Sequence, residues 1–137
     1  MKAAFLVDAN VLSEPTRPSP SPRAVGWLAA HEASIVVDAI VLGELRVGVL
    51  SLPAGSRRAR LESWFDDLAR AVRCLPWDAG VSRRWSQLVV DLRKQGRTMP
   101  LLDSMIAATA LYHDLVLATR NARDFSAAGL RVVDPFQ

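Results

Sequence analysis

Short apolar runs alternate with longer amphipathic segments along this chain. The first run, Ala3 to Val7, ends abruptly at the carboxylate Asp8. A short apolar run bounded by a polar turn is typical of a buried strand in a parallel sheet. Comparable runs occur at 35–37, 72–75, 116–118 and 131–133. The sequence therefore predicts five short strands.

The longer segments have the spacing of amphipathic helices. In the segment 56–71, for example, Leu61, Trp64, Phe65 and Leu68 form one stripe with arginines opposite. Helices are predicted at 23–31, 39–50, 56–71, 78–95 and 100–112, with a helical turn at 11–14. Strands that alternate with helices predict an α/β fold in three layers, with a central, mainly parallel sheet flanked by helices.

Capping and breaking residues support these boundaries. Asp38 is suited to cap the helix that begins at Ala39, and Gly96 is suited to end the helix at 78–95. The proline-rich segment 15–22 is too short for an independent linker, so we interpret it as a loop. With 137 residues, the chain is expected to form a single domain spanning 1–137.

Composition narrows the cellular setting. The single cysteine, Cys74, excludes an internal disulfide, fits a reducing compartment and is expected to be buried. No apolar run approaches the roughly 18 residues of a membrane span, so we expect a cytoplasmic protein without a membrane partner. The net charge of +3 permits a nucleic-acid partner without requiring one.

Three carboxylates occupy positions of chemical interest, and each also has a structural interpretation. Asp8 follows the first strand, where α/β proteins bind ligands, but it could simply cap a helix. Glu44 shares a helical face with Ile40 and Val47, where burial demands a partner, either an arginine or a ligand. Asp103 lies in the first turn of an apolar helix, where a cap or the helix dipole would account for it.

A fourth polar cluster, Thr119 to Phe125, directly follows the fourth predicted strand. Its position at the carboxyl end of a strand would bring it to the same sheet edge as Asp8. Oxygen ligands of this kind select hard cations such as Mg²⁺ or Mn²⁺. A divalent ion held by carboxylates can activate water for attack on a phosphodiester.

These segments together resemble the PIN-domain ribonucleases, specifically the VapC-type toxins of bacterial toxin–antitoxin pairs and their FitB-like relatives. The resemblance covers essentially the whole chain. It depends on four motifs, Leu6-Val7-Asp8-Ala9-Asn10-Val11-Leu12-Ser13-Glu14, Val41-Leu42-Gly43-Glu44-Leu45-Arg46-Val47-Gly48, Leu102-Asp103-Ser104-Met105-Ile106-Ala107-Ala108-Thr109-Ala110 and Ala118-Thr119-Arg120-Asn121-Ala122-Arg123-Asp124-Phe125.

The resemblance implies roles for particular residues. Asp8, Glu44 and Asp103 would be the acidic triad that binds Mg²⁺ or Mn²⁺. Where some members of the family have an acid directly after Thr-Arg, this chain has Asn121, with Asp124 three residues later. Either Asn121 or Asp124 could complete the catalytic set, and the sequence leaves that choice open.

The resemblance also implies an activity and partners. The family's activity would make the chain an endoribonuclease that cuts structured RNA, often tRNA, and is inhibited by a cognate VapB-like antitoxin. It implies a homodimer as well. The main alternative is a non-catalytic module of the same fold that binds RNA or a protein partner. Metal dependence separates the two, because a binding module should keep its function in the presence of a chelator.

Other hydrolase classes fit less well. An aspartyl-phosphate phosphatase would need a second acid two residues after Asp8, where this chain has Asn10, and a receiver domain would need a lysine late in the chain. The P-loop sequence is absent. His31 and His113 lie on or near predicted helices, with no nucleophile elbow to accompany them.

Overall fold

A computed structural model describes residues 2–137 of the chain. The five strands found in this part of the chain belong to one parallel sheet, in the order β3-β2-β1-β4-β5. The strands are β1 (Phe5–Val7), β2 (Ile35–Asp38), β3 (Cys74–Leu75), β4 (Val116–Ala118) and β5 (Val132–Val133). The predicted three-layer α/β fold with a central parallel sheet is confirmed.

Within the described residues, seven α-helices connect and cover the strands, and short 3-10 turns occur at 14–16, 32–34 and 126–128. The helices are α1 (Ala9–Leu12), α2 (Pro22–Ala30), α3 (Ala39–Leu50), α4 (Ser56–Ala71), α5 (Ala79–Lys94), α6 (Leu101–Tyr112) and α7 (Ala122–Phe125). No helix within residues 2–137 is long and apolar enough to cross a bilayer.

The boundaries follow local chemistry closely. Oδ1 of Asp38 accepts a 2.8 Å hydrogen bond from the Val41 amide, so Asp38 caps α3 as predicted. Gly96 has a φ of +68°, the left-handed conformation that follows many helix ends, and it terminates α5. The turn predicted at 11–14 is instead α1, which begins earlier because the side chain of Asp8 accepts from the Ala9 amide, followed by a separate 3-10 turn at 14–16.

Cys74 departs from expectation because it is exposed. Its strand, β3, is only two residues long and lies at the sheet edge, with β2 as its one neighbour. Successive side chains of a strand point to opposite faces, and here Leu75 is the buried member of the pair. The apolar surroundings in the sequence therefore did not determine which way Cys74 faces.

The strand order determines where a site can form. The chain moves from β1 to β2 and β3 on one side of the sheet, and then crosses to β4 and β5 on the other. The order therefore reverses between β1 and β4, and ligands of open parallel sheets bind beyond the carboxyl ends of the strands at such a point. Asp8 directly follows β1, and Thr119 directly follows β4.

Candidate active site

Asp8 is buried and held by hydrogen bonds to both carboxylate oxygens. Only 6% of the residue is exposed. The Ala9 amide donates to Oδ1 at 2.8 Å, and the Thr119 hydroxyl donates to Oδ2 at 2.8 Å. Burial raises the pKa of Asp8, while both hydrogen bonds act in the opposite direction. Asp8 therefore does cap α1, as the structural interpretation proposed, and it also lies at the switch point of the sheet.

The Thr119 hydroxyl can direct its hydrogen only toward Asp8. Its oxygen accepts from the Asn121 amide at 3.1 Å, and the Asn10 side-chain amide lies 3.4 Å away as a further donor. Oδ1 of Asn10 in turn accepts from the Arg120 amide at 3.2 Å. Asn10 thus joins the loop after β1 to the loop after β4, and the network keeps the Asp8 carboxylate in one orientation.

Glu44 projects from α3 toward this same edge. It is half-buried, and the pKa of Glu44 is raised to about 7, first by burial and then by the charges of Asp8, Asp103 and Asp38. Ion pairs do form within the described part of the chain, but none of them includes Glu44. The alternative that an arginine neutralises Glu44 is therefore wrong.

Asp103 lies in the first turn of α6, as predicted. Pro100 occupies the N-cap position and no side chain makes a capping hydrogen bond there, so Asp103 is not the cap, but its place in the first turn is the one that the helix dipole favours for an acid. Burial raises the pKa of Asp103, and the charges of Asp8 and Asp124 raise it further. A hydrogen bond of 3.0 Å from the Trp85 indole to the Ser104 hydroxyl ties this end of α6 to α5.

The two candidates for the fourth position differ in their relation to the other acids. Asp124 is exposed on α7, and its charge acts on Asp103. Asn121 is exposed as well, and it contributes backbone groups: its amide donates to Thr119, and its carbonyl accepts from the Asp124 amide at 2.9 Å. The tertiary structure thus brings Asp8, Glu44, Asp103 and Asp124 into one interacting set of charges.

Asp38 is an acid near the site for which sequence reasoning predicted only a capping role. It is 1% exposed, its Oδ2 has no hydrogen-bond partner within residues 2–137, and its charge acts on Glu44. Burial raises the pKa of Asp38. Its position at the end of β2 was the available sequence signal, because that is the neighbouring strand to β1 in the sheet.

The donor set fits a hard divalent cation in chemistry and in charge. Asp8, Glu44 and Asp103 offer oxygen atoms only, and their mutual repulsion is what a cation would relieve. Their side chains are not gathered for ligation, however, since residues 2–137 contain no group of three Asp, Glu, His or Cys side chains arranged to hold a metal. Binding would require the side chains to converge.

Comparison with known proteins agrees with this fold. Residues 5–130 match the family model described as PIN domain. The chain is 33% identical to the VapC ribonuclease Y4jK of Sinorhizobium fredii, an alignment that covers 97% of this chain and 98% of that protein. It is 38% identical to the toxin FitB of Neisseria gonorrhoeae, with coverage of 96% and 98%.

Similarity extends to a solved structure. A structure of FitAB bound to a DNA fragment, IR36, contains a chain that superposes with a TM-score of 0.91 and 33% identity. The superposition covers 97% of this chain and 96% of the other. Sequence and structure comparisons therefore agree over almost the full length of the chain.

Proposed function

Since the chain belongs to the PIN-domain family, in its group of VapC and FitB toxins, we propose that it is a metal-dependent endoribonuclease. In this proposal it is the toxin of a toxin–antitoxin pair. The observation that carries the proposal is the placement of Asp8, Glu44 and Asp103 near one another at the switch point of the sheet, where burial first and then the charges of Asp8, Asp103 and Asp38 raise the pKa of Glu44 to about 7. Structural ion pairs do not account for this crowding.

Each acidic residue has a defined part in the proposal. Asp8, Glu44 and Asp103 hold Mg²⁺ or Mn²⁺, and Asp124, rather than Asn121, completes the catalytic set. The cation, when bound, supplies a Lewis acid that favours ionised water and offsets charge on the phosphodiester. Thr119 and the Ala9 amide keep Asp8 oriented, which reduces the reorganisation needed during the reaction.

The substrate and partners in the proposal are a structured RNA such as tRNA and a cognate VapB-like antitoxin that inhibits the enzyme. The homodimer implied by the resemblance stays a prediction. Exposed apolar side chains are compatible with contact to an antitoxin or to a second copy of the chain. They include Val47, Leu50, Val90, Leu101, Leu102 and Tyr112.

A second function, a non-catalytic binding module, is favoured by one observation. The acids in the described part of the chain are not arranged as a metal cluster. A module that only binds RNA would need no such cluster, and it would keep the fold and the exposed arginines. The two functions differ in their response to chelation.

The test is cleavage of total tRNA by antitoxin-free protein with Mg²⁺, Mn²⁺ or EDTA, beside an Asp8→Asn variant. Discrete fragments that require both metal and Asp8 support the endoribonuclease. Retention of RNA without cleavage supports the binding module. Cleavage that survives both EDTA and Asp8→Asn contradicts the proposed site.

A further inference from the structure

A groove beside the acidic site runs between α1, α3 and α4. We refer to it as the α4 groove; it has a volume of about 300 Å³, and its wall includes Asn10, Glu44, Gly48, Arg57, Leu61 and Trp64. Glu44 therefore belongs both to the acidic site and to this groove. A molecule in the α4 groove would pass directly into the site.

The groove has unneutralised positive charge at its rim. Arg57 and Arg60 are exposed, and both border a contiguous depression that also contacts Trp64. Neither takes part in the ion pairs found within residues 2–137. Arg58, between them, is instead engaged with Glu62 at 2.8 Å. The charges of Arg57 and Arg60 are therefore available to an anion from outside.

A third arginine at the groove has a different role. Arg17 lies 3.3 Å from Glu14, a residue that is only 4% exposed and whose Oε2 also accepts from the Ser21 amide at 2.8 Å. The positive charge of Arg17 is thus largely balanced by a buried acid. Arg17 shapes the groove, whereas Arg57 and Arg60 give it excess charge.

We propose that the α4 groove holds one side of the RNA strand that passes through the acidic site, with Arg57 and Arg60 on its phosphates and Trp64 beside a base. This inference rests on the proposed function. Arginines three residues apart on a helix are neighbours, about 5–6 Å apart at Cβ, so both guanidinium groups can reach phosphates of one strand. The Trp64 ring can stack on any base, which suits a nucleic acid better than an acidic peptide.

Two other basic surfaces fit an RNA strand less well. The groove near Arg93 and Arg97 contains none of the four site acids in its wall. The surface with Arg120 and Arg123 also contains Asp124 and Asp134, so its charge is mixed. The α4 groove differs from both, because its wall reaches the site at Glu44 and contains no second acid beside Arg57 and Arg60.

Helix α4 itself provides a matched control. Arg70 lies 13 positions after Arg57, roughly 20 Å along the helix, and Arg73 follows its end. Arg73 borders a depression with Ala3 and Ile35, at the amino ends of β1 and β2. Arg73 thus lies toward the end of the sheet opposite the acids, and Arg70, in the last turn of α4, has an exposed ion pair with Asp67 to lose.

The experiment measures binding rather than cleavage. A fluorescent single-stranded RNA of about 12 nucleotides is titrated in EDTA with the parent protein, Arg57→Gln/Arg60→Gln and Arg70→Gln/Arg73→Gln. Dissociation constants are measured from about 50 to about 200 mM NaCl. In this range the parent should show a linear dependence of log Kd on log salt.

The expected result is specific to one variant. Arg57→Gln/Arg60→Gln should bind about tenfold more weakly and lower the salt slope by about 1.4, because each phosphate contact on a single strand contributes about 0.7. Arg70→Gln/Arg73→Gln should match the parent. An unchanged slope in the first variant, or equal losses in both, overturns the inference. The inference is also overturned if Arg57→Gln/Arg60→Gln loses affinity for a polyglutamate probe, an acidic peptide, but keeps the parent's affinity for RNA.

The RNA-binding test of the α4 groove and the cleavage test of the proposed function can fail independently. A parent protein that binds RNA through Arg57 and Arg60 without cutting it would contradict the endoribonuclease and support the RNA groove. A protein that cuts RNA, but whose RNA affinity is the same without these two arginines, would do the reverse.

Discussion

The Thr119 hydroxyl donates a 2.8 Å hydrogen bond to Oδ2 of Asp8, although 111 positions separate the two residues in the chain. Thr119 is fully buried. The bond therefore crosses from the end of β4 to the end of β1 without competition from solvent, and it joins the two strands at the point where the sheet order reverses.

Replacing Thr119 tests whether this bond positions Asp8. Thr119→Val should lower the free energy of unfolding by about 1–3 kcal/mol, because a buried carboxylate oxygen loses its donor. It should also raise the Mn²⁺ concentration needed for half-maximal cleavage. Thr119→Ser keeps the hydroxyl and should retain the parent's metal requirement. If the valine and serine variants have the same metal requirement, Thr119 acts only through packing.

Glu44 predicts the pH dependence of stability in metal-free protein. The pKa of Glu44 in the folded chain is about 7, above its ordinary value of 4.5, so the folded state binds this proton more tightly than the unfolded state. Protonation of Glu44 therefore contributes to the free energy of unfolding. This contribution is fully present below pH 4.5 and is lost as the pH rises to about 7. At pH 8 (about one unit above the folded pKa), Glu44→Gln should therefore raise the free energy of unfolding of the metal-free protein by about 1 kcal/mol, after allowance for solvent screening.

Thermal melts in EDTA near pH 5 and pH 8 would check this, with the exposed Glu32→Gln as control. The Tm of Glu44→Gln should exceed that of the parent at pH 8 and approach it at pH 5. A Tm below the parent's at pH 8 would mean that ionised Glu44 has a partner that stabilises it.

Asp103→Asn separates catalysis from folding. Because the pKa of Asp103 is raised by burial and by the charges of Asp8 and Asp124, the amide should leave the Tm in EDTA equal to or above that of the parent. Cleavage should fall by about a hundredfold or more. Asp66→Asn, on the exposed face of α4, should change neither property. A large loss of stability in Asp103→Asn would instead assign this residue to the helix dipole.

Alanine at position 121 or 124 identifies the fourth residue of the site. Asp124→Ala should reduce cleavage roughly 10–100-fold, since it removes a charge that acts on Asp103. Asn121→Ala keeps the backbone amide that donates to Thr119, so its cleavage should stay within about threefold of the parent. Initial rates on the same RNA at saturating Mn²⁺ compare the two, and the opposite ranking would assign the role to Asn121.

The sequence determined the fold class and most element boundaries. Helix α4 begins at Ser56 and ends at Ala71, as predicted, and β4 spans Val116–Ala118, as predicted. These features depend on periodicity and capping, which are local properties of the chain. Asp38 shows the same principle, because its side chain caps a helix that begins at the next residue.

The sequence also identified Asp8, Glu44 and Asp103, but the tertiary structure decided how they relate. The order β3-β2-β1-β4-β5 brings Thr119 to Asp8, and the fold places Asp124 where its charge acts on Asp103. It likewise decided that Cys74 faces outward, and that Arg57 shares a groove with Glu44 while Arg73 does not. Such facts depend on which strands pair and which faces pack, and pairing over a hundred residues leaves no local pattern in the sequence.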